Sequence, residues 1–248
     1  EAWSRTSAFG VLGGILPLLL FTGMTFIGLL WGVEQGVHVW HVNVKSFTME
    51  FWQSFLGTLK ITAYSLIFLF LLFCWVAISG PQSRIHWFLT GYLAPSPVLV
   101  GFALWSVLPN GGIYSELKIS LALAFIFFPS LYRWRAAGVL QGLHRQFMTA
   151  QVLGANRWEI FKKIIFPQFA KDLFWLCGVA GLWVVGDFAV ISILGFGQNT
   201  LGSLTENLLG SYQLELASVV ALIIMIFGFI LFWILGIVGN VISQKSYS

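Results

Sequence analysis

The chain has 248 residues, 58% of them hydrophobic and only 9% charged, with a mean hydropathy of +0.87. A soluble domain carries about 25% charged residues, so the composition excludes a water-soluble globular core and implies a polytopic membrane protein. The net charge of +4 does not point to nucleic acid, because the basic residues sit beside apolar runs instead of forming a patch of their own.

In chain order, the expected fold is all-α with about six membrane spans, since each span needs roughly 20 mostly apolar residues. The chain opens on Glu1 rather than Met, as a processed product or the second half of a longer polypeptide would, and no signal-peptide n-region precedes the first apolar run. Thr6–Val33 runs charge-free between Arg5 and Glu34, and its Gly10 and Gly14 suit close helix packing. Ile61–Ser83 follows Lys60, with apolar Phe51–Leu59 just before it. Ile85–Ser115 is long and carries Pro95, Pro97 and Pro109. Ile119–Tyr132 is short, with Lys118 expected to snorkel at its end. Leu173–Leu194 is interrupted by Asp187, and Leu216–Gln244 is the last span. The stretch Gly195–Glu215 is rich in Gly, Asn, Gln, Ser and Thr and reads as irregular or as carrying one short helix. Cys74 and Cys177 lie in apolar runs and read as small buried hydrophobes, with no disulfide and no metal site implied. His38, His41 and His86 read as interfacial residues. The whole chain, 1–248, reads as one membrane domain.

Orientation follows from Lys and Arg. One side carries Arg5, Arg84, Arg133, Arg135, Arg145, Arg157, Lys162, Lys163, Lys171 and Lys245; the other carries Lys45, Lys118 and, near its edge, Lys60. The acids Glu34, Glu50, Glu116, Glu206 and Glu215 take the second side. Both termini and the Arg133–Lys171 segment are therefore expected in the cytoplasm.

Segment 141–167 is the one long polar interruption. His144–Leu153 is helix-compatible, and Gly154 is placed to cap it, since Gly takes the left-handed conformation cheaply. Asn156 stands where an N-cap belongs, with Glu159 as its capping-box partner. A second helix is expected from Arg157 to Phe166. At 100° per residue, Trp158, Ile160, Phe161, Ile164 and Ile165 fill one arc, with Glu159, Lys162 and Lys163 opposite. Such a helix is expected to lie in the membrane interface, apolar side down, and to end or kink at Pro167. An ordinary amphipathic connector is the competing reading.

The spacing of this segment resembles the cytoplasmic signature loop of the permease subunits of binding-protein-dependent type I ABC importers. That signature runs Glu-Ala-Ala, three residues, Gly, nine residues, Ile, one residue, Leu, Pro. Ala150, Gly154, Ile164 and Pro167 stand at matching positions; Phe166 replaces the Leu, and Met148 and Thr149 replace the usual Glu and Ala. Around Ser54, Thr58 and Leu59, the stretch Phe47–Ile61 looks like the family's entry to its core helices. Gly186–Gly195 followed by Ser211–Ala217 is similar to the ferric-iron, thiamine and polyamine-type permeases. The resemblance covers residues 47–243 as a core, with 1–46 as a peripheral first helix and outer loop.

The resemblance implies a non-catalytic permease in a bacterial inner membrane. It forms the substrate pathway and couples to a cytoplasmic ATPase through 141–167. It implies two ATP-binding subunits, a second permease copy or half (a homodimer, or one half of a duplicated permease) and an external substrate-binding protein. ATP and Mg would sit on the ATPase, because no Gly-x-x-x-x-Gly-Lys-Ser/Thr loop occurs in this chain; no cofactor and no metal belong to the chain itself. Carried over, Ala150, Gly154, Ala155, Arg157, Ile164 and Pro167 make the ATPase-coupling set, the small residues at 150, 154 and 155 letting a partner surface come close. Asp187, Pro95 and Pro97 are candidates for the translocation pathway. An acid at membrane depth costs at least about 2.5–3.5 kcal/mol and so faces a cavity or a partner; a helix-capping role is its competing reading, and simple kinking is that of the prolines. A stand-alone secondary transporter or channel working through Asp187 is the alternative function. A membrane enzyme finds no nucleophile or acid cluster to support it.

Overall fold

The computed structural model describes residues 22–40, 44–80, 96–107, 113–194 and 199–245, and among these every regular element is helical. Among the described residues, four helices are long and apolar enough to cross a membrane: Phe47–Ser79, Tyr114–Gly142, Arg157–Gly186 and Leu214–Gln244. These are the cores of four of the six expected spans. Of the first, the described part is a helix over 22–40 (α1), which runs on past Val33 and Glu34. Of the third, it is Pro97–Val107 (α3), 11 residues, so that Ile113–Ser115 belong to the next helix instead. Arg5, Gly10, Gly14, His41, Arg84, His86, Pro95 and Pro109 lie outside the described residues.

The second span is a single helix of 36 residues, Val44–Ser79 (α2), where a start at Ile61 was expected. Lys60 does not interrupt it, because its side chain stays in the open and pairs Glu116 at 3.8 Å. Ser54, Thr58, Thr62 and Ser65 recur every three or four residues and so share a face; all four are buried. That seam of small residues packs inward while Trp52, Leu56, Ile67, Leu71 and Trp75 are exposed, the arrangement that lipid outside and close packing between helices favour. Among the described residues, Thr58 alone of the four bonds another helix, at the Leu201 N–H, while the Thr62 and Ser65 hydroxyls have no hydrogen-bond partner. The helix ends at Gly80, earlier than the expected Ser83, with φ +84°, and a side chain there would meet the Phe147 ring.

The fourth span is also longer than its apolar run. Helix Ile113–Leu131 (α4) passes through a π-helical turn, Tyr132–Ala136, into Ala137–Gly142 (α5). Lys118 therefore stands inside a helix, not at a span end. It does not snorkel: it is 2% exposed. Hydropathy stops an apolar run at the first charge, whereas a bundle can enclose a lysine once several helices surround it. Ser120 ties α4 to α2 by donating to the Ile61 carbonyl at 3.2 Å.

His144–Val152 (α6) and Arg157–Ile160 (α7) form the polar segment; a second π-helical turn, Phe161–Ile165, leads into Phe166–Gly186 (α8). Pro167 was expected to end or kink an interfacial helix. Instead Arg157–Gly186 is one rod of 30 residues. The Phe166 N–H reaches back five residues to the Phe161 carbonyl, and this widened turn gives the proline ring room while its missing N–H falls where the hydrogen-bond register changes. The expected apolar arc is correct for Ile160, Phe161 and Ile165, which are buried, and for Ile164, which packs against the same cluster. It fails for Trp158, which is 57% exposed. The arc faces the protein core instead of the lipid interface, because α7 joins a span directly.

After a break at Asp187 come the short Ala189–Leu194 (α9), then Leu201–Gly210 (α10), the one short helix expected after Gly195, and last Leu214–Lys245 (α11). Helices α8 and α11 pack most intimately. Side chains at Gly178, Gly181 and Gly239 would collide with Phe232, Leu231 and Phe174 respectively, which is close approach through small residues. Along the bundle, Arg133, Arg135, Arg145, Arg157, Lys162, Lys163 and Lys171 gather at one end, the basic end. Lys60 pairs Glu116 towards the other end, where Glu34 and Glu215 line a common cavity.

Candidate functional site

Two interruptions of the helical bundle carry the candidate residues. At the basic end, α6 and α7 are joined by a turn whose hydrogen bonds are all local. The Gly154 N–H donates to the Gln151 carbonyl at 2.9 Å, and the Ala155 N–H to the Ala150 carbonyl at 3.1 Å. This is the double bond of a Schellman C-cap, with Gly154 left-handed at φ +85°. Asn156 follows in extended N-cap conformation, and its N–H donates to the Glu159 carboxylate at 3.4 Å. The expected helix–Gly154–helix design is therefore present. It is tied to the bundle by the buried Phe147 and by Gln168, whose amide donates to Gln146 at 2.8 Å.

The predicted coupling residues separate into two groups. Ala150 is buried and Ala155, Ile164 and Met148 pack against the same internal cluster; Pro167 is half-buried within α8. Gly154 and Arg157 are exposed, and nothing lies within 4 Å of where a Gly154 side chain would start. Ala150 is packed within the loop itself, Gly154 and Arg157 are the fully open members of the set, and Ala155, Ile164 and Pro167 are half-buried. Beside them stand two residues the sequence reading passed over. Val152 and Leu153 are 86% and 82% exposed and, with Trp158, make the tip of the turn apolar. Their signal was available: both fall off the helical arc set by Phe147 and Ala150. These exposed apolar side chains on a polar loop make the tip a candidate interaction surface.

At the other interruption, α8 stops at Gly186 and Asp187 turns the backbone extended, with φ −78° and ψ 120°. The Asp187 carboxylate accepts from the Val190 N–H at 3.2 Å, capping α9. Gly202 of α10 lies close over the break, near the Asp187 carbonyl and Phe188. The capping reading of Asp187 is therefore real in the geometry. The cavity reading is real as well. Asp187 lines a cavity of about 830 Å³ together with Ser96, Phe127, Ser130, Trp183 and Phe188. Pro97 opens α3 on the following residue after Ser96. Asp187 and Pro97 thus come to one region of the fold, far along the bundle from Gly154. Among the described residues, no group of three or more His, Cys, Asp or Glu side chains is placed to hold a metal ion.

No protein-family profile matches the sequence, and no curated protein matches it. Among solved structures, the chain is similar to a chain in the crystal structure of a bacterial alginate ABC transporter in complex with an alginate pentasaccharide-bound periplasmic protein. The TM-score is 0.72 at 14% identity, covering 98% of each chain. The class this defines is a fold: an all-α polytopic membrane architecture shared with a chain of that transporter.

Proposed function

We propose that the protein is the membrane-spanning subunit of an ATP-driven importer. It would form the substrate pathway and couple to a cytoplasmic ATPase through segment 141–167. One observation carries this reading: a rigid, doubly capped helix–turn–helix at the basic end presents an apolar tip, Val152 and Leu153, on a fold like that of an ABC transporter chain. The positive charge at that end supports a cytoplasmic loop and cytoplasmic termini in a bacterial inner membrane. With the ATPase-coupling loop come the remaining partners: two ATP-binding subunits that hold ATP and Mg, a second permease copy or half, and an external substrate-binding protein. This chain itself would be non-catalytic. The coupling contacts fall on Val152, Leu153, Gly154 and Arg157, with Ala150, Ala155, Ile164 and Pro167 setting their geometry. Asp187 and Pro97, with Pro95 beside them in sequence, belong to the pathway wall.

Leu153→Asp tests the reading in membranes that also contain the transporter's ATP-binding subunits. The variant should fold and insert but lose co-purifying ATPase. Retention of ATPase at the wild-type level overturns the coupling role of the tip, and uptake by this chain alone in ATP-free vesicles overturns the importer. The stand-alone transporter is less well supported, because the Asp187 carboxylate is already engaged in capping α9.

A further inference from the structure

A second built site lies at the basic end, away from the coupling turn. Arg135 comes from the π-helical turn after α4, Lys171, Asp172 and Trp175 from α8, and Gly236 and Asn240 from α11; together they line a cavity of about 290 Å³. Its floor exists because α8 and α11 approach closely at Gly239, where an added Cβ would stand 3.3 Å from the Lys171 carbonyl. Its mouth exists because Gly236 has nothing within 4 Å of its missing side chain. The charges are arranged unevenly. The Arg135 Nε donates to the Asp172 carboxylate at 2.8 Å, which holds the guanidinium in place. Arg135 remains 56% exposed, so its terminal nitrogens still reach the solvent side. Lys171 has no acidic partner among the described residues, which leaves the cavity one positive charge in excess. Aromatic rings mark the depth. Trp175 lines the cavity and meets Trp134 in a tilted ring pair, centroids 5.2 Å apart, and Trp134 and Trp233 are 60% and 70% exposed. Tryptophans in that setting sit at the headgroup level of a bilayer.

We infer that this cavity binds the phosphate of an anionic phospholipid headgroup, with the Arg135 guanidinium and the Lys171 ammonium as its two cationic contacts. A guanidinium braced by a carboxylate presents its remaining N–H groups as a fork suited to phosphate oxygens. Basic pockets between membrane helices are the setting in which anionic headgroups are held. The Trp134–Trp175 pair flanks the mouth where the acyl chains would leave. The assignment requires only that these helices span a bilayer and does not rest on the transport reading.

The test is native mass spectrometry of the purified protein released from nanodiscs of phosphatidylglycerol and phosphatidylcholine. The wild type should retain phosphatidylglycerol in preference to phosphatidylcholine. Lys171→Gln should lower that retention about fivefold, since each basic residue near the surface contributes on the order of one such factor. Gly236→Phe, which fills the cavity without touching a charge, should lower it as well. The double change Lys162→Gln with Lys163→Gln, which removes two positive charges outside the cavity, should leave it unchanged. Equal losses from the two lysine sets would show a nonspecific annulus and overturn the site. Displacement of the lipid by millimolar inorganic phosphate alone would assign the cavity to a soluble anion and overturn the lipid. Undiminished retention in Gly236→Phe would overturn the cavity itself.

Discussion

The turn at Gly154 and the break at Asp187 both interrupt a helix, and they do so by opposite means. At Gly154 every hydrogen bond is made within a few residues: Schellman bonds to Gln151 and Ala150 on one side, the Asn156–Glu159 cap on the other. What is left over is apolar and faces outward. At Asp187 the local chain supplies only the carboxylate cap, to the Val190 and Ala189 N–H groups, and the rest is assembled from a distance by Gly202, Phe127 and Ser96. What is left over there is space, about 830 Å³ of it. A locally closed turn can be offered to a partner without disturbing the bundle. A break closed by other helices changes shape when those helices move, which is what a pathway wall requires.

The largest effect that would separate the two regions is expected at the tip. Val152→Asp with Leu153→Asp should weaken ATPase association by roughly two to four orders of magnitude, because about 1.5–3 kcal/mol accompanies burial of each large aliphatic side chain. Thermal stability of the isolated chain in detergent should hardly move, since both side chains are already exposed. A large loss of stability would mean that the tip is packed and not presented.

The break should respond the other way, through the bundle. The Thr58 hydroxyl accepts from the Leu201 N–H at 2.8 Å and so pins α10 over that region. Thr58→Val keeps the shape and leaves that buried donor unsatisfied, at a cost of about 1–3 kcal/mol. Denaturant titration should record it, together with greater exchange of the Leu201 amide. An unchanged midpoint would mean that α10 is held by packing alone.

Gly154→Ala should cost about 1–2 kcal/mol, the penalty of a side chain in the left-handed conformation. The effect should appear as fraying of α6 and lower ATPase affinity without loss of the membrane helices, read by hydrogen exchange across 144–160. The smallest change is Asp187→Asn, which retains an acceptor for the Val190 N–H. Stability should stay within about 0.5 kcal/mol, as is usual where no buried feature is lost, while ATP-driven transport slows several-fold if the carboxylate faces the pathway. Transport at an unchanged rate would reduce Asp187 to a cap.

The legibility of these features differs for physical reasons. The α6–turn–α7 unit was readable because Gly154, Asn156 and Glu159 act within a span of six residues. The continuity of α7 into α8 was not, because Pro167 normally ends a helix and only the π-helical turn at Phe161–Ile165 lets it continue. Lys118 was misread for a related reason: its enclosure depends on which helices surround it, and no local pattern records that. The exposure of Val152 and Leu153 was half visible as residues off the arc of Phe147, but not their role as the tip. The Arg135–Asp172 pair joins residues 37 apart and had no local signature.

Composition and charge alone determined the class of this chain. An apolar polymer of this length can satisfy its backbone in lipid only by forming helices or a closed barrel, and its long apolar runs match helices. Local hydrogen-bonding chemistry determined the capped turn. Helix lengths, the burial of Lys118, the cavity at Asp187 and the basic cavity between α4, α8 and α11 were decided by the tertiary structure, because each depends on which side chains meet across helices. Those meetings are set by close approach at glycines such as Gly178 and Gly239, whose partners lie dozens of residues away in the chain.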